Sequence, residues 1–486
     1  MFHQTLTIKL KGMKLVDALR TENARTENGA LTNETSLNNC VDLFFTIGAS
    51  RNSSKKSKII TFNKAFNENP LMALKILFWV RDVRGGAGER NTFTEIIQSI
   101  GNRRPDLIEK NISLIPEYGR WSDVLVLLDT KSDNFALNLI KEGISSRDNL
   151  CAKWLPRCSG KNYTKRRWAN KIRKFLGLSP KEYRKLLTTS KVVENLMCDN
   201  RFDEIEYNKV PSKAMSRYMN SFSRNDEYRF ESYLESLKKG ETKINSGAVY
   251  PYDIIQNLKF GKSDGAELQW NALPNFMEGN DEMILPLVDV SGSMDVAIGG
   301  NENLRAMDVA ISLGLYISER NIGPFKDSFI TFSRRPQMHV LNGGLSDRYS
   351  QLKKADWGMN TNFTSVFKLI LEKANDFELP QSEMPKKVLV LSDMQFDMAD
   401  GRYDVTNHKH IKKLYKESGY EMPQIVYWNL NARTGSFPVT INETDCCLIS
   451  GFSPSILKSV LGGDEMTPMS IMLKTINNER YSKIKI

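Results

Sequence analysis

The chain has 486 residues, more than one hydrophobic core normally spans, so at least two domains are expected. With 40% hydrophobic and 26% charged residues the composition is that of a globular protein, and the absence of any run of about 18 apolar residues excludes a helical membrane protein. The net charge of +11 belongs to the first 280 residues, which hold 45 Lys and Arg against 32 Asp and Glu, while the rest hold 23 against 25.

Residues 1–60 read as an N-terminal arm, partly flexible. Lysines interrupt the opening MFHQTLTIKLKGMK, so no secretory signal is expected there. Residues 21–58 are rich in Asn, Thr, Ser and Lys, which suits a loop better than a packed element. Residues 61–275 read as an all-α, helical-repeat-like basic region. Asn69 as cap and Pro70 in the first turn predict a helix over about 70–82. Thr92 and Glu95 have capping-box spacing ahead of Phe93, Ile96, Ile97 and Ile100. Pro105 opens a third helix and Trp121 a fourth. No fixed repeat period is visible.

From about residue 276 to 486 short apolar runs alternate with amphipathic helices, the pattern of an α/β domain with a mostly parallel, Rossmann-like sheet. Strands are expected at Met283 to Val290, Asp327 to Phe332, Val388 to Leu391, Gln424 to Trp428 and Cys446 to Ile449. Helices are expected along the Ala306 to Ile317 face and over 362–376, 406–417 and 454–462. Pro286 is awkward within a central strand and is expected at the start of its strand. The six cysteines show no CxxC spacing and read as reduced and structural. His408 and His410 read as part of a solvated lysine-rich helix or loop.

Ligands of such sheets bind at the carboxyl ends of the strands. The first strand ends in LPLVDVSGSMD, which puts Asp289, Ser291 and Ser293 at that position. A carboxylate and two hydroxyls on one turn suit a hard cation such as Mg²⁺ (or Mn²⁺ or Ca²⁺); the bland alternative is a helix cap with no metal. The segment resembles the von Willebrand A family, whose metal motif is Asp-x-Ser-x-Ser with a distant Thr and a distant Asp. By that resemblance the Asp is Asp393, after the strand KKVLVLSD, and the Thr is Thr361 in WGMNTNFTSVF, with Thr364 the second choice and Met359-Asn360 a departure from the family's Gly-Gly. The resemblance implies metal ligands Asp289, Ser291, Ser293, Thr361 and Asp393, and an open position for a carboxylate or phosphate oxygen of a partner.

Residues 151–190 carry 12 Lys and Arg and one acid, Glu182, among aromatic residues. Lys153, Arg157, Lys165, Arg166, Arg167, Trp168, Lys171, Arg173 and Lys174 are candidate RNA contacts, since cations with aromatics suit single-stranded or looped RNA; the alternative is a solvated basic face. Arg84 and Arg90 bracket Gly85-Gly86-Ala87-Gly88-Glu89, either a phosphate cradle or a tight turn between helices. Arg120 and Trp121 read as a packing contact.

A helical region followed by a von Willebrand A domain resembles the Ro (TROVE) architecture, in which a helical ring binds RNA. A nearer resemblance is to an uncharacterised domain-of-unknown-function family of plants, fungi, amoebae and giant viruses, carried by FWVRDVRGGAGER, EYGRWSDVLVL, KWLPR and LPLVDVSGSMD. The expectation is a non-enzymatic protein that binds RNA, structured or with a single-stranded end, and an acidic protein partner at the metal, with no membrane contact, in the cytoplasm or, if viral, a virion. The alternatives are a protein-interaction scaffold without RNA and a metal-dependent phosphoesterase. The last lacks the second acid two residues after Asp289, where Ser291 stands.

Overall fold

The computed structural model describes residues 21–486 except 190–191, 240, 243–248, 260–262, 332–335, 355–360, 434 and 463–465. Residues 1–20, Phe332 and the Met359-Asn360 pair lie outside the described residues.

Residues 21–58, whose composition suits a loop, are folded, and residues 31–50 are mostly buried. Ala24–Arg25 pairs antiparallel with Leu31–Thr32. Helix α1 (Asn39–Ile47) follows, capped by the Asn38 side chain, which accepts from the Val41 N–H. Its run VDLFFTI is short, but Val41, Phe44 and Phe45 are fully buried. Burial of so many large side chains outweighs the polar composition around them.

Ser54 caps α2 (Lys55–Glu68), and Asn69 caps α3 (Pro70–Arg81), whose first residue is the expected proline. Helix α4 (Asn91–Arg103) does not use the expected capping box. The Glu89 carboxylate accepts from the Asn91 and Thr92 N–H groups at 3.1 and 3.4 Å, the Thr92 hydroxyl meets Ser50 at 3.1 Å, and Glu95 pairs with Lys58 at 3.1 Å. An ionised carboxylate is the stronger cap, so Glu89 takes the role expected of Thr92. Further helices continue through Asn271, among them α5 (Tyr163–Phe175).

The α/β part is built on a six-stranded sheet of β1 (Ile284–Val288), β2 (Ser328–Thr331), β3 (Gln337–Val340), β4 (Lys387–Ser392), β5 (Gln424–Asn429) and β6 (Cys446–Ser450), in the order β6-β5-β4-β1-β2-β3. All neighbours are parallel except β2 and β3. Five strands occupy the expected apolar runs. The edge strand β3 was not expected, because its exposed Met338 and Val340 carry no core signal.

Pro286 sits in the middle of β1, not at its start, opposite Leu389 of β4. The Asp289 N–H donates to Leu391 O of β4, so alternation turns the Pro286 nitrogen towards β2. The ladder to β2 begins only at Leu287, and the Asn321 side chain takes the Ile284 carbonyl at 2.5 Å on that side. Proline therefore costs the sheet no donor that another strand needs.

Helix α6 (Ala306–Arg320) lies on the sheet so closely that a Cβ at Gly314 would stand 2.5 Å from Val288 Cγ2. Helices α7 (Phe363–Asp376) and α8 (Asn407–Glu417) also pack on it, with Phe363 beside Phe396 and Tyr427. Helix α1 covers the β6 edge: Ser450 Oγ donates to Phe44 O at 2.6 Å and accepts from the Gly48 N–H at 3.0 Å.

The final described helix, α9 (Pro468–Ile476), and the residues after it fold back onto the N-terminal helices. Arg480 grips the buried Asp82 with both arms of its guanidinium, Lys485 N–H donates to Asn111 at 2.9 Å, and Tyr118 donates to the Arg480 carbonyl. One apolar core consequently runs from Cys40 to Ile484, so the change near residue 276 is one of architecture and not a gap between cores. A smaller second core gathers Phe202, Ile205, Tyr207, Phe222 and Phe230. Among the described residues no helix is long and apolar enough to cross a membrane.

Candidate metal centre

Asp289 follows directly on β1 and Asp393 directly on the adjacent β4. These are the two central strands where the chain reverses its direction of winding, so the crevice between their carboxyl ends is where the topology offers a site. Asp289 Oδ1 accepts from the Ser291 N–H at 3.0 Å and Oδ2 from the Ser392 hydroxyl at 2.5 Å. Ser291 Oγ lies 3.0 Å from Ser293 Oγ, and Ser293 Oγ donates to Asp393 Oδ1 at 3.3 Å. A continuous run of hydrogen bonds thus links Asp289, through the Ser291 N–H and hydroxyl, to Ser293 and Asp393.

Thr361 is buried at the edge of this cluster, its carbonyl accepting from the Asp397 N–H at 3.0 Å. The Thr361 hydroxyl accepts from the Asn28 amide at 2.9 Å, and the same amide reaches Gln395 O at 2.6 Å. Thr364, the second candidate, turns its hydroxyl to Asn407 at 2.7 Å instead.

Burial raises the Asp289 carboxyl above its ordinary range, and burial together with the charge of Asp289 pushes Asp393 up to about 7. Asp393 Oδ2 has no hydrogen-bond partner among the described residues; the nearest cation is Arg433 Nη2 at 3.9 Å. Two buried carboxylates with hydroxyls between them form a hard-oxygen set against which Arg433 stands as one long-range cation, and a set of that kind fits a divalent cation such as Mg²⁺. Among the described residues no group of three or more His, Cys, Asp or Glu gathers for a metal.

Ser392, Gln395, Asn28, Glu27 and Arg433 complete the surroundings. Ser392 stood next to a candidate and was findable. The others come from polar stretches with no local pattern. Glu27 N–H donates to Gln395 Oε1 at 2.7 Å, and the Glu27 carboxylate accepts from Arg433 Nη1 at 2.8 Å.

The candidate RNA residues divide into two groups. Arg167 and the Trp168 indole bind Asp129 at 2.5 and 2.8 Å, Lys171 binds Asp133 at 2.6 Å, Arg173 binds the Leu178 carbonyl, and Lys153 pairs with Glu194. Arg157, Lys165, Arg166 and Lys174 are exposed. Arg84 is exposed too, whereas Arg90 is tied to Asp123 at 2.6 Å.

The glycine segment between them is a turn and not a phosphate cradle. The N–H groups of Ala87, Gly88 and Glu89 donate to the carbonyls of Trp79, Asp82 and Val80. Gly86 lies against the Trp79 carbonyl, and Gly88 has φ +68° beneath Tyr250, so both positions require glycine. Trp121 donates to Asp148 at 2.8 Å and Arg120 stacks over Trp154, the packing contacts expected.

His408 and His410 are buried, contrary to the solvated reading. His408 Nδ1 meets Tyr427 OH at 3.0 Å and His410 Nε2 meets Asp400 at 2.6 Å. All six cysteines are free, and Cys198 is exposed, so it is no core residue.

Residues 26–134 and 151–282 match the domain of unknown function DUF2828, and residues 284–484 match the domain of unknown function DUF7788. An uncharacterised protein of Acanthamoeba polyphaga mimivirus is 31% identical over 506 residues, covering 93% of this chain and 86% of that relative. The chain belongs to the family of that giant-virus protein. The junction between the two matched regions falls just before β1, where the architecture changes. The first begins at Thr26, so in this family the segment that touches Thr361 and Gln395 is part of the matched helical region.

Proposed function

We propose that the protein is a non-enzymatic binding protein whose α/β part is a von Willebrand A-type domain. In this reading Asp289, Ser291, Ser293, Thr361 and Asp393 hold Mg²⁺ (or Mn²⁺ or Ca²⁺), directly or through water, and an acidic protein partner is recruited at the metal. The observation that carries it is the burial of Asp289 and Asp393 side by side on adjacent strand ends, with Asp393 Oδ2 left unbonded among the described residues. The ion would supply positive charge in direct contact with both carboxylates and an open coordination position for a carboxylate oxygen. Calorimetric titration with Mg²⁺ tests it: heat and a raised melting temperature are expected for the protein and neither for Asp289→Ala. An unchanged melting temperature and no heat in the wild-type protein would leave Asp289 and its serines as a capped turn.

RNA binding by the helical region is a second reading, favoured by exposed Tyr163 and Phe175 on the same stretch as the exposed cations Arg157, Lys165, Arg166 and Lys174, which pair with no acid among the described residues. Aromatic faces and free cations together suit single-stranded or looped RNA. With four such cations engaged, the log-log salt slope should be about −3. Salt-independent binding, or none at low salt, would leave a protein-interaction scaffold.

A further inference from the structure

Beside the metal cluster, Arg433 Nε and the Gln395 side-chain nitrogen are buried donors with no hydrogen-bond partner among the described residues, and Asp393 Oδ2 is an equally unmatched acceptor. Glu27 touches both donor residues: its N–H donates to Gln395 Oε1 at 2.7 Å and its carboxylate takes Arg433 Nη1 at 2.8 Å. The other arm of that guanidinium, Nη2, lies 3.9 Å from Asp393 Oδ2. A carboxylate of this chain is therefore already parked one guanidinium away from the candidate metal ligands.

The two parts of this contact are held very differently. The backbone around Glu27 is pinned: Thr26 Oγ1 donates to Phe396 O at 2.7 Å, the Ala30 N–H donates to Thr26 Oγ1 at 2.9 Å, and Asn28 grips Thr361 and Gln395. The Glu27 side chain is 58% exposed, and among the described residues a single ion pair fixes its head. Such exposed pairs are weakly held. The side chain can swing off Arg433 while the segment stays docked, which leaves the guanidinium as a donor for another carboxylate.

We infer that the Arg433 guanidinium is a carboxylate-binding position adjoining the metal site, and that Glu27 is its resident occupant, which an acidic segment of a partner has to displace. The inference rests on the metal-dependent reading above and deepens it: Arg433 reads the ligand's carboxylate, and Glu27 sets how hard that position is to enter.

The test uses the full chain, a fluorescent pentaglutamate peptide followed by anisotropy, and Mg²⁺ affinity measured separately by calorimetry. Removing the competing charge by Glu27→Gln should tighten peptide binding about tenfold in Mg²⁺. Arg433→Gln should abolish peptide binding while Mg²⁺ binds at least as tightly as before, since a cation near the metal has been removed. Equal peptide binding by the wild type and Glu27→Gln overturns the inference and leaves the metal reading standing, as does peptide binding that persists in Arg433→Gln or in EDTA. No Mg²⁺ heat in the wild-type protein overturns both.

Discussion

The Asn28 amide and the Thr361 hydroxyl, 333 residues apart in the chain, are joined by a hydrogen bond of 2.9 Å. The N-terminal segment is thereby tied to one of the residues proposed to hold the metal. Groups that orient metal ligands in this way contribute about 10 to 100-fold to metal affinity. Asn28→Ala should weaken Mg²⁺ binding about tenfold, near 1.4 kcal/mol, measured by calorimetry, with a much smaller change in the melting temperature in EDTA.

Asp393→Asn separates the cost of the cluster from its use. The substitution removes a buried like charge beside Asp289, so the metal-free protein should gain about 1 to 2 kcal/mol in urea unfolding with EDTA present. The same variant should lose the stabilisation that Mg²⁺ gives the wild type. A variant destabilised in EDTA would show that the two carboxylates are not in conflict.

Arg81 and Asp123 form an ion pair in which both side chains are buried, and Arg90 shares the same carboxylate. Removing one partner of such a pair strands an uncompensated charge. Asp123→Ala should cost about 3 to 5 kcal/mol in denaturant unfolding, whereas Arg104→Ala, in the exposed pair with Asp106, should cost under about 1 kcal/mol.

Burial pushes the Asp42 carboxyl up from 3.8 to about 6, against opposing hydrogen bonds from the Ser36 hydroxyl and N–H. The folded state therefore holds this proton more tightly than the unfolded chain. Its contribution is fully present below about pH 3.8 and is lost as the pH rises through about 6. Asp42→Asn should gain on the wild type between pH 4 and 7, by an amount of order 1 kcal/mol, and the difference should level off above that range; unfolding at several pH values reads it directly.

The parts of this architecture legible in the sequence are those whose signal is local. Each buried strand of the sheet is a short apolar run ended by a polar residue, so β1, β4, β5 and β6 could be read directly, and Asp289 and Asp393 came with their strands. Helix α1 was not legible because seven residues of VDLFFTI are too few to outweigh the Asn, Thr and Ser on both sides. Its burial depends on β6, some 400 residues away. Arg433 and Asn28 carry no motif, since their partners are set by tertiary contact alone. The glycine segment after α3 was legible as a turn, yet only the carbonyls of Trp79, Val80 and Asp82 explain why its amides are unavailable to a phosphate.

The clasp between Arg480 and Asp82 also bears on how the chain is made. The helices nearest the N-terminus can pack on one another early, but Asp82, Asn111 and Tyr118 find their partners only once residues 468–486 have left the ribosome. Most of the chain is thus synthesised with this side of the helical part still open, and closure depends on contacts of very long sequence separation. During that interval the chain exposes apolar helix faces of the kind that chaperones hold and that aggregate when they are not held.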